Sequence, residues 1–353
     1  MDPKSSHAPT SDDDRSRSRV ATLQQVARLA RVSTATVSRV LNNSPRVREE
    51  TRRRVLRAVR QLHYLPNYHA RLLAGAKTRT LGMIVSNIEN PFFLDIFCAT
   101  EARAQQAGYE VVVENTNYDR QRLLESVRSM LARRVAGLAI IVSEIDPQLF
   151  EELSQQNLPV VFYDVGRPGP NMTNIRVRYE KGMQRVLEYL YALGHRRMAF
   201  VGHHASLSPL QERRRTFLQM VRRYPDVEHV TVTQADGPAG GRAAMNQLLA
   251  MGFRPTAVVC VNDFMAIGVL RELRDRGIQV PEEVSVTGFD NIALAEFLNP
   301  SLTTLNIPRR RIGHMVFELL TAPPEHLSMG QEIVIEPELV VRESTGPAPQ
   351  RAL

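Results

Sequence analysis

Val32-Ser-Thr-Ala-Thr-Val-Ser-Arg-Val-Leu41 is the stretch on which the reading of this 353-residue chain turns. Ser33 suits a helix N-cap, because its hydroxyl can accept from a backbone N–H two or three residues on. Val37, Val40 and Leu41 fall at i, i+3 and i+4 and form one apolar stripe. Thr34, Ala35, Ser38 and Arg39 fall off it. Small residues in the first turn let a helix end approach base edges, and the Arg39 fork matches O6 and N7 of guanine. The stretch has the make-up of the second helix of a helix-turn-helix, the one that enters the DNA major groove. Taken alone it reads equally well as a short amphipathic helix with a solvated arginine. Its neighbours decide.

Upstream, Thr22-Leu-Gln-Gln25 has the capping-box pattern, followed by an apolar face of Leu23, Val26, Ala27 and Ala30. Arg31 and Val32 form the tight connection. Downstream, Asn42-Asn-Ser-Pro45 signals a turn, and a third helix is expected over residues 48–62, with Glu49 and Glu50 at the positive end of its dipole. Val55, Leu56, Val59 and Leu62 supply the third wall of a small core. Arg48 is a poor N-cap, so that helix start needs another support. Three such helices make a unit near the lower size limit for independent folding.

Between residues 15 and 79 there are 16 Lys or Arg against two Glu, in a chain whose total charge is only +8. The basicity is therefore confined to this segment, as expected of a nucleic-acid-binding module on a near-neutral body. Residues 1–18 are rich in Ser, Asp, Pro and Arg and read as a disordered tail without a signal peptide. No apolar run is long enough to span a bilayer. Cys98 and Cys260 stand in apolar surroundings without metal-ligand spacing, so both are expected to be small buried hydrophobes; no metal or cofactor is expected.

Val26-Ala27, Val32-Ser33, Thr36-Val-Ser-Arg-Val-Leu-Asn42, Thr51-Arg52, Tyr64-Leu-Pro-Asn67 and Ala70-Arg-Leu-Leu-Ala-Gly75 together resemble the lactose-repressor (LacI/GalR) family of bacterial transcription regulators. The resemblance runs from Thr22 to about Arg342. It implies that operator DNA is met by Thr22, Leu23, Ser33, Thr34, Ala35, Thr36, Ser38, Arg39, Asn42, Tyr64, Asn67, Ala70, Leu73 and Ala74. It further implies that residues 68–74 are a hinge that becomes helical on the operator, with Leu73 as a wedge that kinks the duplex from the minor groove. On the residues alone, Leu72-Leu73 would read as linker or core. One recognition helix reads too few base pairs to be selective, so a homodimer on a palindrome is expected.

From residue 79 onward strand and helix signals alternate, with strands expected at 81–85, 109–114, 137–142, 159–163, 198–201, 230–233, 257–261 and 284–288. Helices are expected at 91–107, 120–133, 147–155, 181–193, 210–223, 240–251 and 264–276. This implies doubly wound parallel sheets covered on both faces. The expected fold class is α/β: an N-terminal all-α helix-turn-helix domain, a hinge helix, and a two-lobed body of two parallel sheets that resembles a periplasmic binding protein. The expected divisions are a tail over 1–20, the helix-turn-helix domain over 21–66, the hinge over 67–78, the body over 79–345 and a tail over 346–353.

Ligands of open parallel sheets bind beyond the carboxyl ends of the strands, which in a two-lobed body is the cleft. By the family match, Phe92, Phe93, Asp164, Arg213, Asn262 and Asp290 line it. An arginine facing carboxylates and an asparagine can bracket a sugar's hydroxyls while a ring covers its C–H side. The plainer alternative makes Asp164 and Asp290 turn formers and Phe93 core. There is one departure: sugar- and purine-binding relatives often carry a large aromatic at the position of Gly237, which puts such effectors in doubt. His203 and His204 could donate to an anionic ligand, but also read as exposed loop residues.

Three classes of function compete. A homodimeric, cytoplasmic, nucleoid-associated repressor, controlled by a sugar-like effector, accounts for both halves of the chain. A solute-binding protein would account for the body only. An enzyme finds no support, because there is no Gly-x-Gly-x-x-Gly after a strand, no Walker-type loop and no nucleophile elbow.

Overall fold

The computed structural model describes residues 21–41, 44–64, 78–143, 147–166, 168–204, 208–323 and 330–350. The chain divides into two compact units, residues 1–77 and 78–353. Asn42, Asn67, Ala70, Leu73 and Ala74, and with them the hinge, lie outside the described residues.

The first unit contains α1 (Leu23–Ala30), α2 (Thr34–Leu41) and α3 (Glu49–Gln61). Thr22 closes the capping box of α1: its N–H donates to Gln25 Oε1 at 2.8 Å and its hydroxyl accepts from Gln25 N–H at 3.3 Å. Arg31 ends α1 in the left-handed region, φ 53°, and turns the chain into α2. The Thr36 N–H donates to Ser33 Oγ at 3.2 Å, which caps α2. No side chain caps α3 at Arg48; the Arg52 guanidinium instead reaches back to the Ser44 carbonyl at 2.8 Å. Val26, Val37, Val40, Val55 and Ala58 fill the core, together with Tyr64.

In the second unit, β1 (Thr80–Val85), β2 (Glu110–Asn115), β3 (Gly137–Ile141), β4 (Val160–Tyr163), β5 (Met172–Val177) and β11 (Gln331–Ile335) form a parallel sheet in the order β11-β5-β4-β3-β1-β2. A second parallel sheet has the order β7-β6-β8-β9, from β6 (Arg197–His203), β7 (Glu228–Gln234), β8 (Ala257–Cys260) and β9 (Ser285–Thr287). The central strands are apolar and buried throughout, as strands covered on both faces must be. Covering helices include α4 (Pro91–Gln106), α5 (Arg120–Ala132), α6 (Pro147–Ser154), α7 (Tyr179–Ala192), α8 (Ser208–Val221), α9 (Pro238–Ala250) and α10 (Asp263–Asp275).

Beyond Gly288 the chain does more than the strand-helix signals show. After the short α11 (Leu294–Phe297) and β10 (Thr304–Asn306), it returns to the first lobe as α12 (Arg309–Thr321) and β11. Helix α12 lies on α4: a Cβ at Gly313 would come within 2.5 Å of the Ile96 carbonyl, and Thr100 Oγ1 donates to the Gly313 carbonyl at 3.0 Å. The chain then re-enters the second lobe, where β12 (Glu338–Val340) pairs antiparallel with β10. The residues expected as a C-terminal tail are bonded there through residue 348, whose N–H donates to the Leu193 carbonyl at 2.8 Å. Cys260 is buried, but Cys98 is exposed on α4, a correction to the expectation that both are interior. Helix period and apolar neighbours do not reveal which side of α4 faces out. Among the described residues, no helix is long and apolar enough to cross a membrane, and no group of three His, Cys, Asp or Glu could hold a metal ion.

Candidate DNA-binding surface and effector cleft

On the first unit, Thr34, Ala35 and Arg39 are exposed on α2, with Ser33 exposed at its cap and Thr36 and Ser38 partly so. The Ser33 and Thr36 hydroxyls lie 3.0 Å apart and bond each other. Thr22 is exposed and Leu23 is half-buried against the core. Tyr64 is the exception among the described residues expected on this surface. It is buried in the module's core, so its ring packs the three helices rather than facing outward.

The cleft of the second unit is built at the carboxyl ends of both sheets. It is lined by Asn90, Phe92, Phe93, Tyr118, Ser143 and Tyr163 on one side, and by Tyr179, His203, Arg213, Asp236, Asn262 and Asp290 on the other. Five of the six expected residues are therefore brought together. Asn90 caps α4 by accepting from Phe92 N–H at 3.1 Å, which sets Phe92 and Phe93 in the first turn, rings edge to face with centroids 5.2 Å apart. Arg213, on α8, is buried between the rings of Tyr179 and Phe289, its guanidinium carbon 4.2 Å from each centroid. It donates to the Val261 carbonyl at 2.5 Å, while its Nε has no partner among the described residues. Burial works against its charge, but Tyr179 and Asp290 outweigh that and hold its pKa above the ordinary value.

Asp164 does not line the cleft. It stands behind it in the left-handed region, φ 63°, accepting from the Tyr179 hydroxyl and from Val177 N–H at 2.6 Å. Its part is to hold Tyr179 against Arg213. Burial pushes its carboxyl up to about 7, against the two hydrogen bonds that lower it.

Asp290 follows β9 with φ 113° and is 3% exposed. No donor among the described residues bonds its carboxylate, and burial raises its pKa well above the ordinary carboxylate value, with Arg213 pulling the other way. A carboxyl group that lines the cleft without a protein donor, beside a buried arginine, suits a ligand carrying both a donor and an acceptor.

Sequence reasoning passed over Tyr118, which follows β2, and Asp236, which follows β7. Both obey the same strand-end rule that picked out Asn262 and Asp290. Asp236 Oδ1 accepts from Asn262 Nδ2 at 3.0 Å, and its Oδ2 accepts from the Tyr118 hydroxyl at 2.8 Å and Asn87 Nδ2 at 3.3 Å. His203 is half-buried and packs against Tyr118, ring centroids 4.9 Å apart and planes tilted by 43°; burial lowers its pKa. His204 is exposed.

A second buried acid is structural. Asp263 accepts from Thr304 Oγ1 at 2.5 Å and from Ile292 N–H at 2.8 Å, and burial still pushes it up to about 7. Asp164 and Asp263 keep protons in the folded body that an unfolded carboxylate, with a pKa of about 3.9, has released. The stability these two groups contribute therefore falls as pH climbs from about 4 to about 7 and levels off above. Asp263→Asn keeps the shape and removes one titration, so the fall in melting temperature between roughly pH 5 and 7.5 is expected to shrink. An equally steep fall in the variant would show that Asp263 is ionised throughout.

A helix-turn-helix module joined to a two-lobed α/β body with a polar, ring-walled cleft defines a ligand-responsive DNA-binding regulator. Comparison with known proteins narrows this. Residues 22–67 match the lacI family of bacterial regulatory proteins, and residues 187–345 match a periplasmic binding protein-like domain. The HTH-type transcriptional repressor PurR of Photobacterium profundum is 34% identical over 329 residues, covering 92% of this chain and 98% of its own. That of Vibrio cholerae is 35% identical over 336 residues, with the same coverage. The lac repressor dimer bound to operator and the anti-inducer ONPF is similar with a TM-score of 0.79 at 29% identity, covering 92% of this chain and 99% of that one. The chain belongs to the lacI family. It is a transcriptional regulator and not an enzyme.

Proposed function

We propose that this protein is a cytoplasmic, nucleoid-associated repressor that binds a palindromic operator as a homodimer, and that a small polar metabolite in the cleft controls it. The reading is carried by one observation. A basic three-helix module exposes Thr34, Ala35 and Arg39 on one helix, in the same chain as a cleft lined by Arg213, Asn262 and Asp290. Its relatives support the rest: the PurR proteins are named repressors, and the lac repressor structure is a dimer on operator DNA. Leu294 and Phe297, 50% and 79% exposed on the short α11, form an apolar patch suited to a second copy.

Asp290 takes donors from the effector and Arg213 gives them, while Phe92, Phe93 and Tyr118 cover its flat or C–H faces. A sugar or a related polyhydroxylated metabolite fits this chemistry. Gly237 offers no ring on the second lobe.

Selection of bound duplexes from a random pool by the full-length protein tests this reading. Two inverted half-sites should emerge; enrichment of no sequence, or of a single half-site, would overturn it. On the selected duplex, Arg39→Ala is expected to cost ~1–3 kcal/mol at one symmetric base pair and to relax the preference there. An equal loss on every sequence would make Arg39 a phosphate contact.

A further inference from the structure

Asp236 stands on the second lobe, at the end of β7, yet one of its carboxylate oxygens is bonded by two donors of the first. The Tyr118 hydroxyl reaches Oδ2 from the loop after β2 at 2.8 Å, and Asn87 Nδ2 reaches it from the loop after β1 at 3.3 Å. The other oxygen is held by Asn262 of its own lobe at 3.0 Å. These contacts join protein to protein across the cleft.

The donors are aimed before they meet the carboxylate. Asn87 spends its amide oxygen at home, accepting from Glu89 N–H at 3.0 Å, so its nitrogen is left to point outward. Asn262 does the same: its oxygen caps α10 by accepting from Met265 N–H at 2.8 Å. The two first-lobe loops are themselves tied, since Asn115 Oδ1 accepts from Ile88 N–H at 3.2 Å and Asn115 Nδ2 donates to Asn117 Oδ1 at 3.0 Å. Asn117 and Tyr118 both sit in the left-handed region, φ 52° and 61°, where side chains other than glycine pay a strain cost. That strained pair presents Tyr118 to the other lobe.

Gly237 completes the arrangement. Its φ is 91°, and a Cβ there would come within 3.0 Å of the Phe264 ring. A side chain at that point would be strained, and the neighbouring Asp236 is met instead by Tyr118 of the first lobe, whose ring packs tilted on His203.

We propose that Asp236 is a positioning residue for effector control: with Tyr118 and Asn87 it latches the two lobes together. The latch is made by protein groups alone, so it sets how often the cleft opens to admit or release an effector. Its functional meaning rests on the cleft being the effector site; the latch itself is tested without effector or DNA.

The experiment is hydrogen exchange on the full-length protein in buffer, comparing the parent with Tyr118→Phe, Asp236→Asn and Tyr191→Phe. Tyr118→Phe keeps the ring on His203 and removes only the hydroxyl. Asp236→Asn keeps the shape and turns one acceptor into a donor. Tyr191→Phe is the control, because its hydroxyl bonds Asp226 away from the cleft. Exchange at residues 86–93, 115–119 and 234–240 should speed up about tenfold in the first two variants and not in the third, with the melting temperature kept. Unchanged exchange in both would overturn the latch. So would acceleration spread over the central strands, which would make Asp236 merely structural. Either result would leave the operator selection above untouched, so the two readings fail separately.

Discussion

Asp290→Ala is expected to lower effector affinity by about 100-fold. Asp290 lines the cleft, and no donor among the described residues bonds its carboxyl group. An effector in the cleft can bond it directly, and two such hydrogen bonds at roughly 1.5 kcal/mol each vanish in the variant. The buried Arg213 guanidinium also loses a group that helps hold its charge, so the effector-free body is expected to melt no higher than the parent. Titration of both proteins with the metabolite that stabilises the parent in a thermal-shift screen checks the first half, and a calorimetric melt checks the second. Retained affinity would place the ligand elsewhere in the cleft; a higher melting temperature would show that Asp290 is a net burden on the body.

Gly241→Val is expected to destabilise the second lobe by about 3 kcal/mol or more. Helices α9 and α10 cross at Gly241 and Gly268 with no space between backbones. A Cβ at Gly241 would stand 1.9 Å from the Met265 carbonyl oxygen, and one at Gly268 the same distance from the Pro238 carbonyl. The obstacle is helix backbone, which cannot swing aside as a side chain can, so the helices must separate. That separation reaches the site, because Asp236 precedes α9 and Asn262 caps α10. A loss of roughly 6–12 °C in melting temperature is expected for a body of this size, together with a weakened latch. A melting temperature within about 2 °C of the parent would show that the crossing is looser than its geometry.

Much of the architecture is legible from local signals. The α1 capping box, the Ser33 cap and the apolar stripe of α2 each depend on residues within four positions of one another, and the structure realises all three. The eight strands and seven helices read from the alternation are similarly plain, since strands buried on both faces must be apolar runs. Illegible elements depend on distant partners. Strand β5, Met-Thr-Asn-Ile-Arg-Val, carries three polar residues and is recognisable only once β4 and β11 flank it. Helix α12 opens with three arginines and has a glycine in its middle, and both features make sense only against α4: Arg309 pairs with Asp95 at 2.8 Å, and Gly313 permits the close approach.

The cleft divides in the same way. Phe92, Phe93, Arg213, Asn262 and Asp290 could be read because strand ends and the family pattern both point to them. Asp164 was chosen by the same pattern, yet it supports Tyr179 from behind. Tyr64 was expected to face outward and is core, since a tyrosine after a helix gives no sign of which way its ring folds. Asp236 was within reach by the strand-end rule, but its meaning comes from Tyr118 and Asn87 across the cleft. That contact spans more than a hundred residues of chain, and no local signal announces it.

The central claim is that the cleft and the DNA-binding module speak to each other. An effector can move operator affinity only by as much as it prefers one arrangement of the lobes over another. The decisive measurement is a fluorescence-anisotropy titration of the selected duplex with full-length protein at fixed salt, with and without the metabolite found by thermal shift. The account predicts a change in operator affinity of about tenfold or more in the parent, in either direction, and none in Asp290→Ala. A metabolite that binds the parent tightly and leaves its operator affinity unchanged would contradict it.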